Sequence, residues 1–188
     1  MRELVRQGYR QPLRYAVFNF DSCFPGVYRR FSGKKEYPTA VCLIGASKLR
    51  LYKLTRNKKY LASAEKDAAW LAKNRSRGYP DYCWGLPFKW QSAGAVYPET
   101  TPCSTITPYM TMFFLELYKQ TKNAKYLSIA KSTAKFFYGG LNRNAVAADK
   151  VAFSYTPLDE FYVINASSYA AVSLALVGGM TRNRHYLA

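Results

Sequence analysis

Histidine is almost absent from this chain: His185 is the single one in 188 residues. The four cysteines, Cys23, Cys42, Cys83 and Cys103, are widely spread and form no Cys-x-x-Cys pair. Together these shortages exclude a Cys/His zinc site and leave free, buried thiols as the expectation; no metal or cofactor is called for. Acids are scarce as well, 11 against 28 Lys and Arg, for a formal charge of +17. Such a field attracts polyanions (nucleic acid, acidic polysaccharide, an anionic membrane face), although a solvated basic rim explains it equally simply. No charged N-terminal segment is followed by an apolar run, so no secretory signal is read and a cytoplasmic protein is expected. The longest nearly uncharged stretch, Val163 to Met180, is broken by Asn165, Ser167, Ser168, Tyr169 and Ser173, which excludes a membrane span. RRM, KH and zinc-finger patterns are missing, as is a phosphate-cradling Gly-x-x-x-x-Gly-Lys loop, so nucleic acid is the least favoured partner. With no secretion signal, the sequons at Asn74 and Asn165 are chance matches.

What the chain does have is apolar residues, 49%, with 16% aromatics, enough to bury a core. It also has an internal repeat. Leu51-Tyr52-Lys53-Leu54-Thr55-Arg56-Asn57-Lys58-Lys59-Tyr60-Leu61 returns 66 positions later as Leu117-Tyr118-Lys119-Gln120-Thr121-Lys122-Asn123-Ala124-Lys125-Tyr126-Leu127. A third copy, Thr181-Arg182-Asn183-Arg184-His185-Tyr186-Leu187, follows after 60 more. In each, one helical pattern runs into Thr-x-Asn and a second starts just beyond, with the Asn placed to cap it. The unit is therefore a helix-turn-helix hairpin.

The second helices share an apolar stripe, Leu61, Ala64, Ala68 and Leu71 matching Leu127, Ala130, Ala134 and Phe137 at helical period. The first helices, about 38–55, 103–120 and 162–180, are apolar on most faces and belong inside. Alternating inner and outer helices are the plan of an all-α, (α/α)-toroid, here about three hairpins of a ring that holds six, in one domain over 1–188. Residues 1–20 supply one further helix. Repeat units need neighbours to cover their faces, so the expectation is a piece of a longer ring, incomplete at its C-terminus. An open solenoid, self-associating through its open hairpin flanks, is the alternative.

Links within a hairpin are short, but residues 76–102 and 140–161 form long connections, which in compact helical folds tend to carry function. In an alternating array both emerge on the face that receives the N-termini of the inner helices, where free N–H groups and the helix dipole favour polar or anionic ligands. Thr39, Thr105 and Asn165 align there, as helix caps and as contacts for a ligand. The first loop reads Asp81-Tyr82-Cys83-Trp84-Gly85-Leu86-Pro87-Phe88-Lys89-Trp90-Gln91-Ser92, then Tyr97-Pro98-Glu99-Thr100-Thr101-Pro102. Its tryptophans, beside amide and charged groups, suit a flat platform for a sugar ring; the competing reading is that Trp84, Phe88 and Trp90 plug the end of the array. The second loop, Phe153 to Tyr162, adds tyrosine hydroxyls with Asp159 and Glu160.

These two stretches and the Leu-Tyr-x-x-Thr-x-Asn-x-x-Tyr-Leu junction resemble the bacterial VpsJ-like polysaccharide biosynthesis proteins over about residues 30–188. In architecture the repeats are similar to six-hairpin glycosidase and C5-epimerase toroids. The resemblance implies a polysaccharide context without naming a reaction. The VpsJ-like pattern has an aspartate before the second Trp of the loop where this chain has Lys89, which weakens an acid role at that point.

Two chemistries fit the loop residues. Hydrolysis needs two carboxyl groups about 5–5.5 Å apart for retention or about 6.5–9.5 Å for inversion; Asp81, Glu99 and Asp159 are the candidates, with Glu160 a substitute. Elimination or epimerisation at an acidic sugar would use Tyr155, Tyr82 or Lys89 near the proton abstracted. Tyr82, Trp84, Lys89, Trp90, Gln91, Thr105 and Asn165 are expected to bind the oligosaccharide. The other reading keeps the same cleft for glycan binding or assembly without chemistry, and predicts that no two loop carboxylates converge.

Overall fold

The computed structural model describes residues 16, 19–20, 22–24, 35–92, 95–147 and 150–186. The chain divides into two units, Met1–Lys35 and Glu36–Ala188. In the first, the rings of Phe20 and Phe24 lie 5.2 Å apart across one helical turn. Most of the helix expected over residues 1–20 lies outside the described residues. The helical array belongs to the second unit.

Two hairpins and the start of a third follow one another as expected. Helix α1 (Pro38–Thr55) turns into α2 (Lys58–Lys73), α3 (Thr107–Thr121) into α4 (Ala124–Lys135), and α5 (Ile164–Thr181) into a short 3-10 turn, Arg184–Tyr186. All three bends are built alike. The Thr hydroxyl at the helix end donates to the carbonyl four residues back, Thr55 to Leu51, Thr121 to Leu117 and Thr181 to Val177, at 2.7–2.8 Å. The next residue, Arg56, Lys122 or Arg182, is left-handed at φ 57, 58 and 56. The Asn carbonyl then accepts the N–H of Lys59, Lys125 or His185 at 3.0–3.1 Å, so local hydrogen bonding alone explains the repeated Thr-x-Asn. Replacing either Asn57 or Asn123 with Ala should cost about 1 kcal/mol, read by urea denaturation.

Lys48 of α1 pairs with Asp67 of α2 at 2.7 Å. Gly45 lets α1 approach α3 closely, since a Cβ there would meet the Phe113 ring at 2.7 Å. Near their C-termini Lys53 of α1 and Lys119 of α3 share Glu116, and near their N-termini the hydroxyls of Tyr109 (α3) and Tyr169 (α5) meet at 3.4 Å. The inner helices α1, α3 and α5 thus run parallel, with bends at one end and long loops at the other. The stripe of the outer helices is buried as its spacing predicts: Ala64, Ala68 and Leu71 in α2, Ala130 and Ala134 in α4, and Phe137 in the π-helical turn Phe136–Gly140 that extends α4. This architecture is the all-α toroid plan, represented in part. No described helix is long and apolar enough to cross a membrane.

The loops hold what helical periodicity could not show, two small antiparallel hairpins: β1 (Trp90–Gln91) with β2 (Val96–Tyr97), and β3 (Arg143–Ala147) with β4 (Lys150–Phe153). The caps at the inner-helix N-termini also differ from expectation. Tyr37, Ile106 and Val163 occupy those positions without side-chain cap bonds, and Thr39 and Asn165 lie inside the first turns. Pro38 and Pro108 in the first turns of α1 and α3 each remove an N–H that would otherwise need a cap.

Candidate functional site

The two long loops meet. The Ser104 N–H and hydroxyl both reach the Tyr155 carbonyl at 2.9 Å, and the Thr105 hydroxyl reaches the Tyr155 phenol at 3.0 Å. Between the loops, beside the N-terminus of α5, lies a cavity of about 540 Å³ lined by Trp90, Ser92, Tyr97, Tyr155, Phe161, Tyr162 and Val163. Pockets that hold small molecules have volumes of about 300–1,000 Å³.

Its aromatic wall is built in order. Register pairs Trp90 with Tyr97 across the first hairpin, and their rings stack at 4.2 Å, 23° apart. Tyr155 meets Trp90 edge-on at 5.7 Å. Tyr97 is 1% exposed, with its phenol donating to Asp159 Oδ2 at 2.8 Å. Burial, reinforced by that carboxylate, pushes the Tyr97 phenol up to about 12. Burial also raises the Tyr155 phenol, against the opposing bond from Thr105. A phenol held protonated is a hydrogen-bond donor at neutral pH. The indole N–H of Trp90 is buried with no acceptor among the described residues, and unpaired buried donors of this kind call for an explanation.

The expected acids do not converge on this cavity. Asp159 is buried and fully engaged: Oδ1 accepts the N–H of Tyr155 and Phe161 at 3.2 and 3.1 Å, while Oδ2 accepts Tyr97, the Thr156 N–H and the Thr156 hydroxyl at 2.8, 3.0 and 2.6 Å. Five donors occupy a carboxylate with about four lone-pair sites. Asp159 therefore staples the turn that carries Tyr155, Phe161 and Tyr162, with no oxygen left for proton transfer. Asp81 points elsewhere, accepting from Ser132 of α4 at 2.8 Å. Glu99 is exposed and outside the cavity lining.

Among the expected binding residues, Trp90 lines the cavity while Lys89 and Gln91 are its exposed neighbours on the hairpin. Thr105 supports Tyr155 from behind. Tyr82 lies under the Arg75 guanidinium, 4.9 Å from its ring centre, with its backbone tied to Ser132. Asn165 is exposed at the start of α5 and does not line the cavity. Trp84 needs correcting outright: it is 0% exposed, its indole donates to the Leu71 carbonyl at 2.9 Å, and its ring lies 6.0 Å from that of Phe114. It is core, as the end-plug reading has it, and cannot offer a face to a sugar. The loop residues around it pass so close that a Cβ on Gly85 would stand 1.8 Å from the Thr101 carbonyl oxygen. The cavity residues not foreseen, Tyr97, Ser92, Phe161, Tyr162 and Val163, all sit in or beside the loops expected to matter. For Tyr97 the available signal was Trp90-Gln91 and Val96-Tyr97 flanking a short Ser/Gly-containing turn, a hairpin pattern.

The buried thiols of Cys42, Cys83 and Cys103 are each pushed up to about 12 by desolvation and are unreactive; Cys23 is exposed. No described group of three or more His, Cys, Asp and Glu residues could hold a metal ion.

Comparison with solved structures places this architecture. A family 76 glycoside hydrolase from a bovine Bacteroides thetaiotaomicron strain superposes with a TM-score of 0.59 at 18% identity, over 82% of this chain and 33% of that one. The fold is that of an (α/α) toroid. A family 76 mannosidase of Bacteroides thetaiotaomicron gives 0.56, also at 18% identity, over 82% of this chain and 42% of that protein. The toroid-like chain here thus spans about a third to two-fifths of the length of those enzymes. No family model and no curated protein matches the sequence.

Proposed function

We propose that the chain recognises a saccharide in the cavity between its two long loops, as part of a carbohydrate-processing toroid in a polysaccharide pathway. The observation that carries this is the aromatic wall of Trp90 and Tyr155, backed by the buried Tyr97 and faced by Phe161 and Tyr162, around a cavity of ligand size. Aromatic faces take up the apolar C–H face of a sugar ring, and the Tyr155 phenol, which accepts from Thr105 and keeps its own proton, supplies a donor at its edge. The toroid fold shared with family 76 glycoside hydrolases supports the carbohydrate context. Hydrolysis does not have its parts at this cavity among the described residues, since Asp159 is saturated and no carboxylate lines the wall; of the residues named for elimination, Tyr155 alone lines it. Binding without turnover is the reading these residues support.

The lining holds no charged side chain, so a neutral ring fits it better than an acidic one. Trp90 is only partly buried, and its replacement by Ala should leave the helical circular dichroism and melting temperature close to those of the parent. Affinity for neutral oligosaccharides, measured by calorimetry, should fall at least about tenfold, in line with the loss of one aromatic contact. Unchanged affinity in a folded Trp90→Ala protein would defeat the assignment.

A further inference from the structure

At the opposite end from the loops, the three hairpin bends form a basic strip. Across residues 55–59, 121–125 and 181–184 there are seven Lys and Arg and no acid. Three of them, Arg56, Lys122 and Arg182, occupy the left-handed positions that close α1, α3 and α5. Gly or Asn is the usual occupant there. A basic side chain at a helix C-terminus is at least favoured by the dipole, so these three have a partial structural explanation. The others do not. Lys58 and Lys59 are the first two residues of α2, Lys125 is the second of α4, and Arg184 opens the final turn. Positive charge at a helix N-terminus opposes the dipole, and neither α2 nor α4 has an acid in its first turn to offset it. Residues that break a local rule without structural return are candidates for function.

All seven are exposed. Neighbouring inner helices pack about 8–10 Å apart, so three like bends side by side form a row about 20 Å long. No aromatic platform of the kind that holds single-stranded nucleic acid accompanies the described bends: the tyrosines that follow each bend, Tyr60, Tyr126 and Tyr186, are all at least partly buried. Beside the strip Leu54 stands 82% exposed, an apolar tip among the cations. A row of exposed cations with an apolar tip matches a plane of anionic headgroups over acyl chains. We infer that the bend end of the array docks on an anionic membrane surface, leaving the loop cavity free.

The test is sedimentation of the full chain with vesicles of phosphatidylcholine containing about one-third phosphatidylserine, against phosphatidylcholine alone. Binding to the anionic vesicles only, weakening steeply as salt rises, is expected. The decisive variant is Lys58→Glu, Lys59→Glu and Lys125→Glu together. It places acids where the helix dipole favours them, so its melting temperature should equal or exceed that of the parent. Vesicle affinity should fall at least about a hundredfold, because each basic residue at such a surface contributes about fivefold. Undiminished vesicle binding by the variant, equal binding to neutral vesicles, or tighter binding to duplex DNA or an acidic glycan than to the vesicles would overturn the proposal. Oligosaccharide binding at Trp90 should be the same in parent and variant, so the two sites are judged separately.

Discussion

Replacing Trp84 with alanine should destabilise the protein by about 3–5 kcal/mol, the cost of emptying a fully buried aromatic site, and lower the melting temperature by about 10 °C. The reason lies in what the residue joins. Its indole spans from the Leu71 carbonyl at the end of α2 to the ring of Phe114 in α3, while its own N–H and carbonyl are held by Thr107 at the head of α3. One side chain therefore fastens the first hairpin to the second and sets the start of the loop that carries Trp90. Truncation leaves a cavity among Leu71, Phe114 and Tyr82 and an unpaired carbonyl on Leu71. Urea denaturation followed by circular dichroism reads the loss directly. Wild-type stability with reduced saccharide affinity would instead restore Trp84 to the sugar site. The contrast with Trp90→Ala is the sharp point, since two tryptophans six residues apart should fail in different ways, one by unfolding and one by losing ligand.

That contrast also shows what the sequence could reveal. The bends at Thr55, Thr121 and Thr181 were legible because every bond that makes them lies within a few residues, so the same three letters produce the same turn each time. The stripe of Ala64, Ala68 and Leu71 was legible because helical period converts directly into a buried face. From these two features followed the parallel inner helices and the meeting of the long loops. The division of labour between Trp84 and Trp90 was not legible. It depends on the backbone of residues 83–86 doubling back against 100–103, at the distance that only Gly85 permits, and nothing local announces that approach. The role of Asp159 was hidden for a similar reason. Four of its five partners lie within four residues, but the fifth, Tyr97, comes from the other loop 62 residues away. A carboxylate in a loop reads as a catalytic candidate until its lone pairs are counted. Net charge was uninformative for a similar reason: a formal +17 gives a sign and no partner, with seven of the 28 basic residues at the bends and none in the cavity wall.

Asp159 provides the second large effect. Asp159→Ala removes the acceptor of three N–H and two O–H donors at once, and buried donors left without a partner cost about 1–3 kcal/mol each where they cannot be rehydrated. With Tyr97 and Thr156 buried and the two outer N–H groups free to find water, the expected loss is about 3–5 kcal/mol. Saccharide affinity should fall with it by at least about tenfold, because the released turn carries Tyr155, Phe161 and Tyr162. Asp159→Asn separates a staple from an acid catalyst. The amide oxygen still accepts the N–H groups of Tyr155 and Phe161, but its nitrogen cannot accept from Tyr97 or Thr156, so a staple loses about 1–3 kcal/mol and part of its affinity. A catalytic acid would lose turnover while keeping stability and binding. The Tyr97 phenol reports on the same bond. Its ionisation in the folded protein is pushed from 10.0 to about 12, so it contributes stability in full below pH 10 and loses it as pH climbs through 12. Without Asp159, part of that shift disappears, and tyrosinate absorbance should develop at lower pH in the folded Asp159→Ala protein than in the parent. An unchanged alkaline titration would mean that burial alone holds the phenol neutral, and that Asp159 is not what ties the first loop to the second.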